Sequence, residues 1–286
     1  MPLAQFDGAL AVVTGAGAGI GRATALALAE RGANVVAADI DLAAAERTAA
    51  LAKSVGAGGT AYQVDVSDAA AMESFAAAVK EAHRAPDIVV NNAGIAVAGS
   101  FLDTSLEDWD RIVGVNLWGV VHGSRLFGRQ MHDRVHTLPN KPDKPNLGGH
   151  IVNIASAAAY TPTRTLPAYC TTKAAVLMLS ECLRAEFAGS RIGVTAVCPG
   201  FVTTDIVANG TFVGDAEAGE RTRQRSLKAL KARNYPPERV AERIVNAIVK
   251  NKPVVPVTAE GHLLRALSRV SPASLRLLAR IPAPRG

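Results

Sequence analysis

Short apolar runs of strand length alternate with longer, Ala-rich stretches whose apolar residues recur on a helical period. The strand-like runs fall at 9–14, 34–39, 60–66, 87–91, 150–155, 191–198 and 254–257. This alternation predicts an α/β fold: one doubly wound domain over residues 1–258, its parallel sheet covered by helices on both faces. Ser67 ahead of Asp68 predicts a helix N-cap, and Ser105 with Asp108 three positions later predicts a capping-box variant. Pro236 and Pro237 ahead of Glu238 open a helix expected to reach Lys250.

Right-handed crossovers in such a sheet leave the ligand crevice beyond the carboxyl ends of the strands. That rule sorts the irregular segments. The Pro-rich insert 132–149 joins a helix to the next strand and is expected at the opposite edge, without chemistry. Residues 201–235 follow a strand's carboxyl end and are expected to form a substrate lid.

At 286 residues the chain is within reach of a single α/β domain, and 49% apolar with 5% aromatic content suits a core of Ala, Val, Leu and Ile. No apolar run approaches the roughly 18 residues that span a bilayer, and the start has neither a basic flank nor an apolar secretion segment, so a cytoplasmic protein is expected. Cys170, Cys182 and Cys198 are odd in number and lack metal-ligand spacing, which fits a reducing compartment and no metal site. The net charge of +6 is uneven: residues 1–220 hold 16 Lys+Arg against 22 Asp+Glu, and 221–286 hold 15 against 3. No aromatic interleaving or recognition motif accompanies the basic end, so nucleic acid is not an expected partner.

After the first strand comes Thr14-Gly15-Ala16-Gly17-Ala18-Gly19-Ile20-Gly21, and then a helix-forming run. Glycines there let backbone approach a pyrophosphate and leave helix N-terminal amides facing it. The spacing is G-x-x-x-G-x-G and departs from G-x-G-x-x-G. Asp39 closes the second strand 18 positions after Gly21, where a carboxylate accepts hydrogen bonds from ribose hydroxyls. A 2'-phosphate would meet a like charge there, and neither Ala18, Ile40 nor Asp41 supplies a cation, so NAD is favoured over NADP. The candidate contact set is Gly15, Ala18, Gly19, Ile20, Gly21, Asp39 and Ile40.

Tyr169 and Lys173 lie four apart at the start of a helix, so both reach one small volume. Lowering a phenol's pKa by about three units from about 10 takes roughly 4 kcal/mol. One ammonium about 4 Å away supplies on the order of 4 kcal/mol at an effective dielectric near 20. Ser156, just past the strand at 150–155, is placed to hydrogen-bond a substrate oxygen as its charge changes. Hydrolysis by a Ser-His-acid triad is the competing chemistry, but no G-x-S-x-G elbow is present.

The ordered set Thr14 to Gly21, Asp65-Val66, Asn91-Asn92-Ala93-Gly94, Asn116, Ser156, Tyr169 with Lys173, and Pro199-Gly200 resembles the short-chain dehydrogenase/reductase family over about residues 7–257. The resemblance implies a seven-stranded Rossmann-type sheet and hydride transfer between NAD(H) and a secondary alcohol or ketone. It implies that Asp65 and Val66 contact adenine and that Asn92, Ala93 and Gly94 support the cofactor. It further implies that Tyr169 passes the proton, that Lys173 bonds the nicotinamide ribose, and that the Asn116 backbone holds a relay water. Pro199, Val202 and Thr204 would seat the carboxamide, and the usual assembly would be a homotetramer or homodimer. The alternatives are an NADP-preferring carbonyl reductase and a non-catalytic NAD(H)-sensing protein. Phe201, Ile206, Val207 and Phe212 in the lid point to an apolar substrate.

The extension 259–286 carries Leu263, Leu264, Leu267, Val270, Leu277 and Leu278 among Arg265, Arg269, Arg276 and Arg280. Such a segment either lies on anionic lipid as a peripheral contact or packs on the domain or a neighbouring subunit. Packing is the favoured reading, and it predicts no flotation with anionic liposomes at low or high salt; flotation at low salt would favour lipid.

Overall fold

The computed structural model describes residues 6–137 and 148–280. Its strands are β1 (Leu10–Thr14), β2 (Asn34–Asp39), β3 (Gly59–Gln63), β4 (Ile88–Asn91), β5 (Val97–Ala98), β6 (Gly149–Ile154), β7 (Ile192–Cys198), β8 (Thr211–Phe212) and β9 (Val254–Pro256). The helices are α1 (Gly19–Ala29), α2 (Leu42–Ser54), α3 (Ala69–Ala82), α4 (Leu106–Val113), α5 (Gly119–Thr137), α6 (Pro167–Glu186), α7 (Ala216–Arg233), α8 (Pro237–Val249), α9 (Ala259–Val270) and α10 (Pro272–Leu278).

Seven strands pair in the order β3-β2-β1-β4-β6-β7-β9, every pair parallel. Successive residues of a strand face opposite sides, so one strand feeds two cores. From β1, Ala11 and Val13 join Ala25 and Leu28 of α1 and Ile244 and Ile248 of α8. Leu10 and Val12 join Met72 and Phe75 of α3 and Phe127 and Met131 of α5 on the other face. Burial on both faces is why these strands read as apolar runs.

The strand order reverses between β1 and β4, which opens the crevice at their carboxyl ends. At the opposite ends, Asp87 is almost fully buried, accepts from the Leu10 amide at 2.8 Å, and pairs with Arg134 at 2.9 Å and Arg84 at 2.7 Å. Arg134 also donates to the carbonyls of Ala85 and Gly148, tying α5 to the starts of β4 and β6.

Several sequence expectations are corrected. Asp68, not Ser67, caps α3, accepting from Ala70 and Ala71; Ser67 instead donates to Asp65. The third strand ends at Gln63 rather than 66. The first part of the 132–149 insert is the last turn of α5, which runs to Thr137, and 138–147 lies outside the described residues. The 201–235 segment contains β8, which pairs in parallel with β5, and the 18-residue helix α7. In the C-terminal extension Leu275 is buried, whereas Leu263, Val270, Leu277 and Leu278 remain exposed, so these four do not pack on their own domain. The Ser105 cap and the helix opened by Pro237 are borne out. Among the described residues no helix is long and apolar enough to cross a membrane.

Removing the Asp87 carboxylate would leave the guanidinium of Arg134, only 12% exposed, without its counter-charge. Asp87→Ala is expected to lower unfolding free energy by about 3 kcal/mol, read from urea denaturation. An unchanged midpoint would overturn this account of the sheet's lower edge.

Candidate active site

The site begins at Thr14, the last residue of β1. Its hydroxyl accepts from the amides of Asn92 at 3.1 Å and Ala93 at 3.2 Å, and Asn92 Nδ2 donates to the carbonyls of Thr14 and Gly15. The turn after β4 is thus bonded to the glycine loop across the strand-order reversal. A Cβ on Gly21 would stand 2.0 Å from the Gly15 carbonyl oxygen, so the loop closes this tightly only with glycine.

The loop fits a dinucleotide phosphate group. Helix α1 begins after Ala18, which offers no side-chain cap, so first-turn amides stay free for an anion. Asp39 sits beside it, with Oδ2 accepting from the Gly17 amide at 2.7 Å and Oδ1 from Asp41 at 3.1 Å. Thr204 packs against the loop, its Cγ2 3.2 Å from where a Gly19 Cβ would lie, and Ile20 packs inward on the core. Ile40 is 64% exposed at the rim. Asp65 accepts from Ser67, and the Val66 carbonyl is hydrogen-bonded by His122.

Sequence reasoning missed Arg22. Its guanidinium donates to the Gly17 carbonyl, and its Nε is buried without a partner. The signal was available, since Arg22 directly follows Gly21 on the first turn of α1. Thr48 was missed too, and its hydroxyl holds the Ala16 carbonyl at 2.8 Å.

The second half of the site is carried by β6 and α6. Ser156 follows β6, caps a short 3-10 turn by accepting from Ala158, and donates to the Pro199 carbonyl at 3.4 Å. Pro167 opens α6, which places Tyr169 in its first turn and Lys173 one turn on. The Ser156 side chain lies close enough to the Tyr169 hydroxyl to favour its phenolate. Lys173 is buried, donates to the Ile154 carbonyl at 2.9 Å, and lies 5.7 Å from the centre of the Tyr169 ring.

Asn116 is fully buried on a π-helical turn, Gly114–Trp118, an irregularity that often marks functional positions. Its side chain accepts from the Ile95 amide at 2.8 Å and donates to the Ile95 carbonyl and the Thr172 hydroxyl. Gly94 lies between Asn116 and Lys173: a Cβ there would be 3.3 Å from Asn116 Oδ1 and 3.4 Å from Lys173 Nζ. The chosen residues therefore converge at one sheet edge. Beneath them Asn91, Asn153, Ser124 and Ser180 form a buried polar ladder linking β4, β6, α5 and α6.

One electrostatic expectation is corrected. The sequence reading has the lysine drawing the phenol down; without a ligand, burial dominates and pushes Tyr169 up to about 12, with the Ser156 side chain opposing it. Burial also lowers Lys173 to about 8. At neutral pH the pair is phenol and ammonium. Among the described residues no group of three or more His, Cys, Asp or Glu side chains could hold a metal ion.

Residues 9–211 match the family model for the short chain dehydrogenases. The chain is 47% identical over 283 residues to "Probable oxidoreductase EphD" of Mycobacterium tuberculosis, covering 98% of this chain and 46% of that one, so it spans about half the length of that relative. It is 32% identical over 226 residues to the 2,3-dihydro-2,3-dihydroxybenzoate dehydrogenase of Bacillus subtilis, covering 79% of this chain and 81% of that enzyme. A crystal structure of a short-chain dehydrogenase/reductase from Burkholderia phymatum in complex with NAD superposes with a TM-score of 0.83 at 29% identity, covering 99% of this chain and all of that one. With its seven-stranded parallel sheet, its glycine loop at the strand-order reversal and this likeness along most of its length, the chain belongs to the short-chain dehydrogenase/reductase family of oxidoreductases.

Proposed function

We propose that the protein catalyses reversible hydride transfer between NAD(H) and a secondary alcohol or its ketone, with Tyr169 as general acid/base. One observation carries the reading: a tyrosine hydroxyl beside Ser156 stands near a buried lysine ammonium, at the sheet edge that holds a glycine loop. The nicotinamide, when bound, accepts or donates the hydride. The chain's own residues handle the proton and the oxygen.

In the reductive direction Tyr169 donates its hydroxyl proton to the substrate oxygen, and Ser156 hydrogen-bonds that oxygen as it gains charge. Lys173, charged at neutral pH, stabilises the phenolate left behind. Asn116 and Thr172 brace α6 against the turn after β4. The Gly15–Gly21 loop, Arg22, Asp39, Asp65, Val66 and the Asn92–Gly94 turn would hold the dinucleotide, with Pro199, Val202 and Thr204 at its nicotinamide end. Tyr169, Ile95, Trp109 and Val213 all pack against the buried cluster of Val97, Ile112 and Ala168, an apolar setting that favours an apolar alcohol. Assembly as a homodimer or homotetramer belongs to the same reading.

Asp39 favours NAD, because a 2'-phosphate would meet its carboxylate. Arg22 gives the NADP alternative one argument, since it brings a cation to Gly17, the residue whose amide Asp39 binds. The wild-type protein is expected to bind NADH over NADPH by at least about tenfold, the size of one unfavourable charged contact. Asp39→Ala should narrow that gap in fluorescence titrations, and a preference for NADPH in the wild type would refute the assignment.

Tyr169→Phe is expected to cut turnover by about 10²- to 10⁴-fold while NADH binding is retained. Unchanged turnover would refute the role given to Tyr169, and no turnover by the wild type across a panel of alcohols and ketones would favour the non-catalytic sensing alternative.

The pH dependence follows from the two titrations. Alcohol oxidation needs Tyr169 deprotonated, and with the phenol at about 12 the reactive fraction grows as pH rises. The kcat/KM for oxidation should climb about tenfold per pH unit from about pH 6. Above about 8, where Lys173 loses its charge, the climb should flatten. A flat profile over that whole range would contradict the roles given to both residues.

A further inference from the structure

The 201–235 segment leaves the sheet after Gly200 and returns at Tyr235, ahead of α8. Its two ends meet in the backbone, where the Thr203 amide donates to the Tyr235 carbonyl at 2.9 Å. A side-chain cluster closes over this bond. Glu260, in the first turn of α9, accepts from the Phe201 amide at 3.1 Å and pairs with Arg233 at 2.8 Å. Arg233 in turn lies 4.6 Å from the centre of the Phe201 ring.

Glu260 thus touches the first residue of the segment and the last residue of its helix. Gly200 makes this approach possible: a Cβ there would stand 2.2 Å from Thr258 Oγ1 and 2.4 Å from Glu260 Oε1. Thr258 caps α9, accepting from Gly261, and so fixes the turn that presents Glu260. The middle of the segment is tied to the body where β8 pairs with β5 and where Arg111 donates to the Thr211 hydroxyl, but α7 itself buries only Leu230. Arg223 on α7 reaches back to the carbonyls of Ala208 and Gly210, but these bonds stay within the segment.

We propose that Glu260, supplied by the C-terminal extension, is a positioning residue that clasps both ends of the 201–235 lid and so sets how firmly the lid closes on substrate. This rests on the oxidoreductase reading of the crevice. Glu260 has no contact with Ser156, Tyr169, Lys173 or the glycine loop among its hydrogen bonds and ion pairs, so it acts through the lid. The extension then has a task in this site, beyond covering the edge of the sheet.

The clasp makes a coupled prediction for Glu260→Gln, Arg233→Gln and the double variant. Glutamine at 260 keeps the acceptor for the Phe201 amide and removes the ion pair alone. Each single change should raise KM for the alcohol about two- to five-fold, the size of a partly exposed ion pair. The kcat, the NADH dissociation constant and the melting temperature should hardly move, because Val202 and the Thr203–Tyr235 bond still seat the inner end. Hydrogen exchange of amides in 216–232 should quicken in each single variant and no further in the double, the mark of one shared interaction.

Additive effects in the double variant, or exchange in 216–232 equal to wild type, would overturn the clasp. Altered exchange in a protein that turns over no alcohol would uphold the clasp and sink only the catalytic reading. Active enzyme whose KM and lid exchange ignore all three substitutions would do the reverse.

Discussion

A lysine ammonium buried against a backbone carbonyl, with no carboxylate paired to it among the described residues, is the constraint around which this molecule is organised. Desolvation alone would discharge it, and Lys173 does titrate lower than an exposed lysine. It remains a cation at neutral pH, with the end of β6 presenting the Ile154 carbonyl to it. Shifting β6 against α6 would remove that compensation. The Asn153–Ser180 bond and the packing of Val176 against Ala155 and Ala196 keep the two elements in register.

The dinucleotide loop is held by a second lock of the same kind. Thr14 is buried at the end of a strand whose other residues are apolar, and its hydroxyl satisfies two amides of the turn after β4. That small hydroxyl joins the two halves of the sheet where the strand order reverses. Both halves of the site therefore depend on paired strand ends, and the apolar cores on the two faces of the sheet keep those ends aligned. The loops above are free to serve binding because the geometry below them is rigid.

The periodicity of the chain was sufficient to read the strands to within a few residues, since a strand buried on both faces has to be an apolar run. The glycine loop, Asp39 and the Tyr169–Lys173 pair were legible because each depends on local spacing: a turn, a strand end, one helical turn. Where reading failed, the reason was competition between neighbours. Ser67 and Asp68 can both cap a helix, and the choice went to Asp68 because Asp65 had already engaged Ser67. Arg22 looked like an ordinary helix residue, and only the fold turns its guanidinium back onto Gly17.

What the sequence determined by itself was the set of parts: seven apolar strands, a phosphate-binding loop, an acid at the second strand's end and a tyrosine one helical turn before a lysine. Tertiary structure alone decided the electrostatic state of that pair, because desolvation depends on every atom around a group and no short stretch of chain encodes it. It also decided that a glutamate near residue 260 would meet an arginine at 233 and the backbone at 201. Such contacts join segments whose separation along the chain is unrelated to their separation in space, so they exist only once the sheet has brought its edges together.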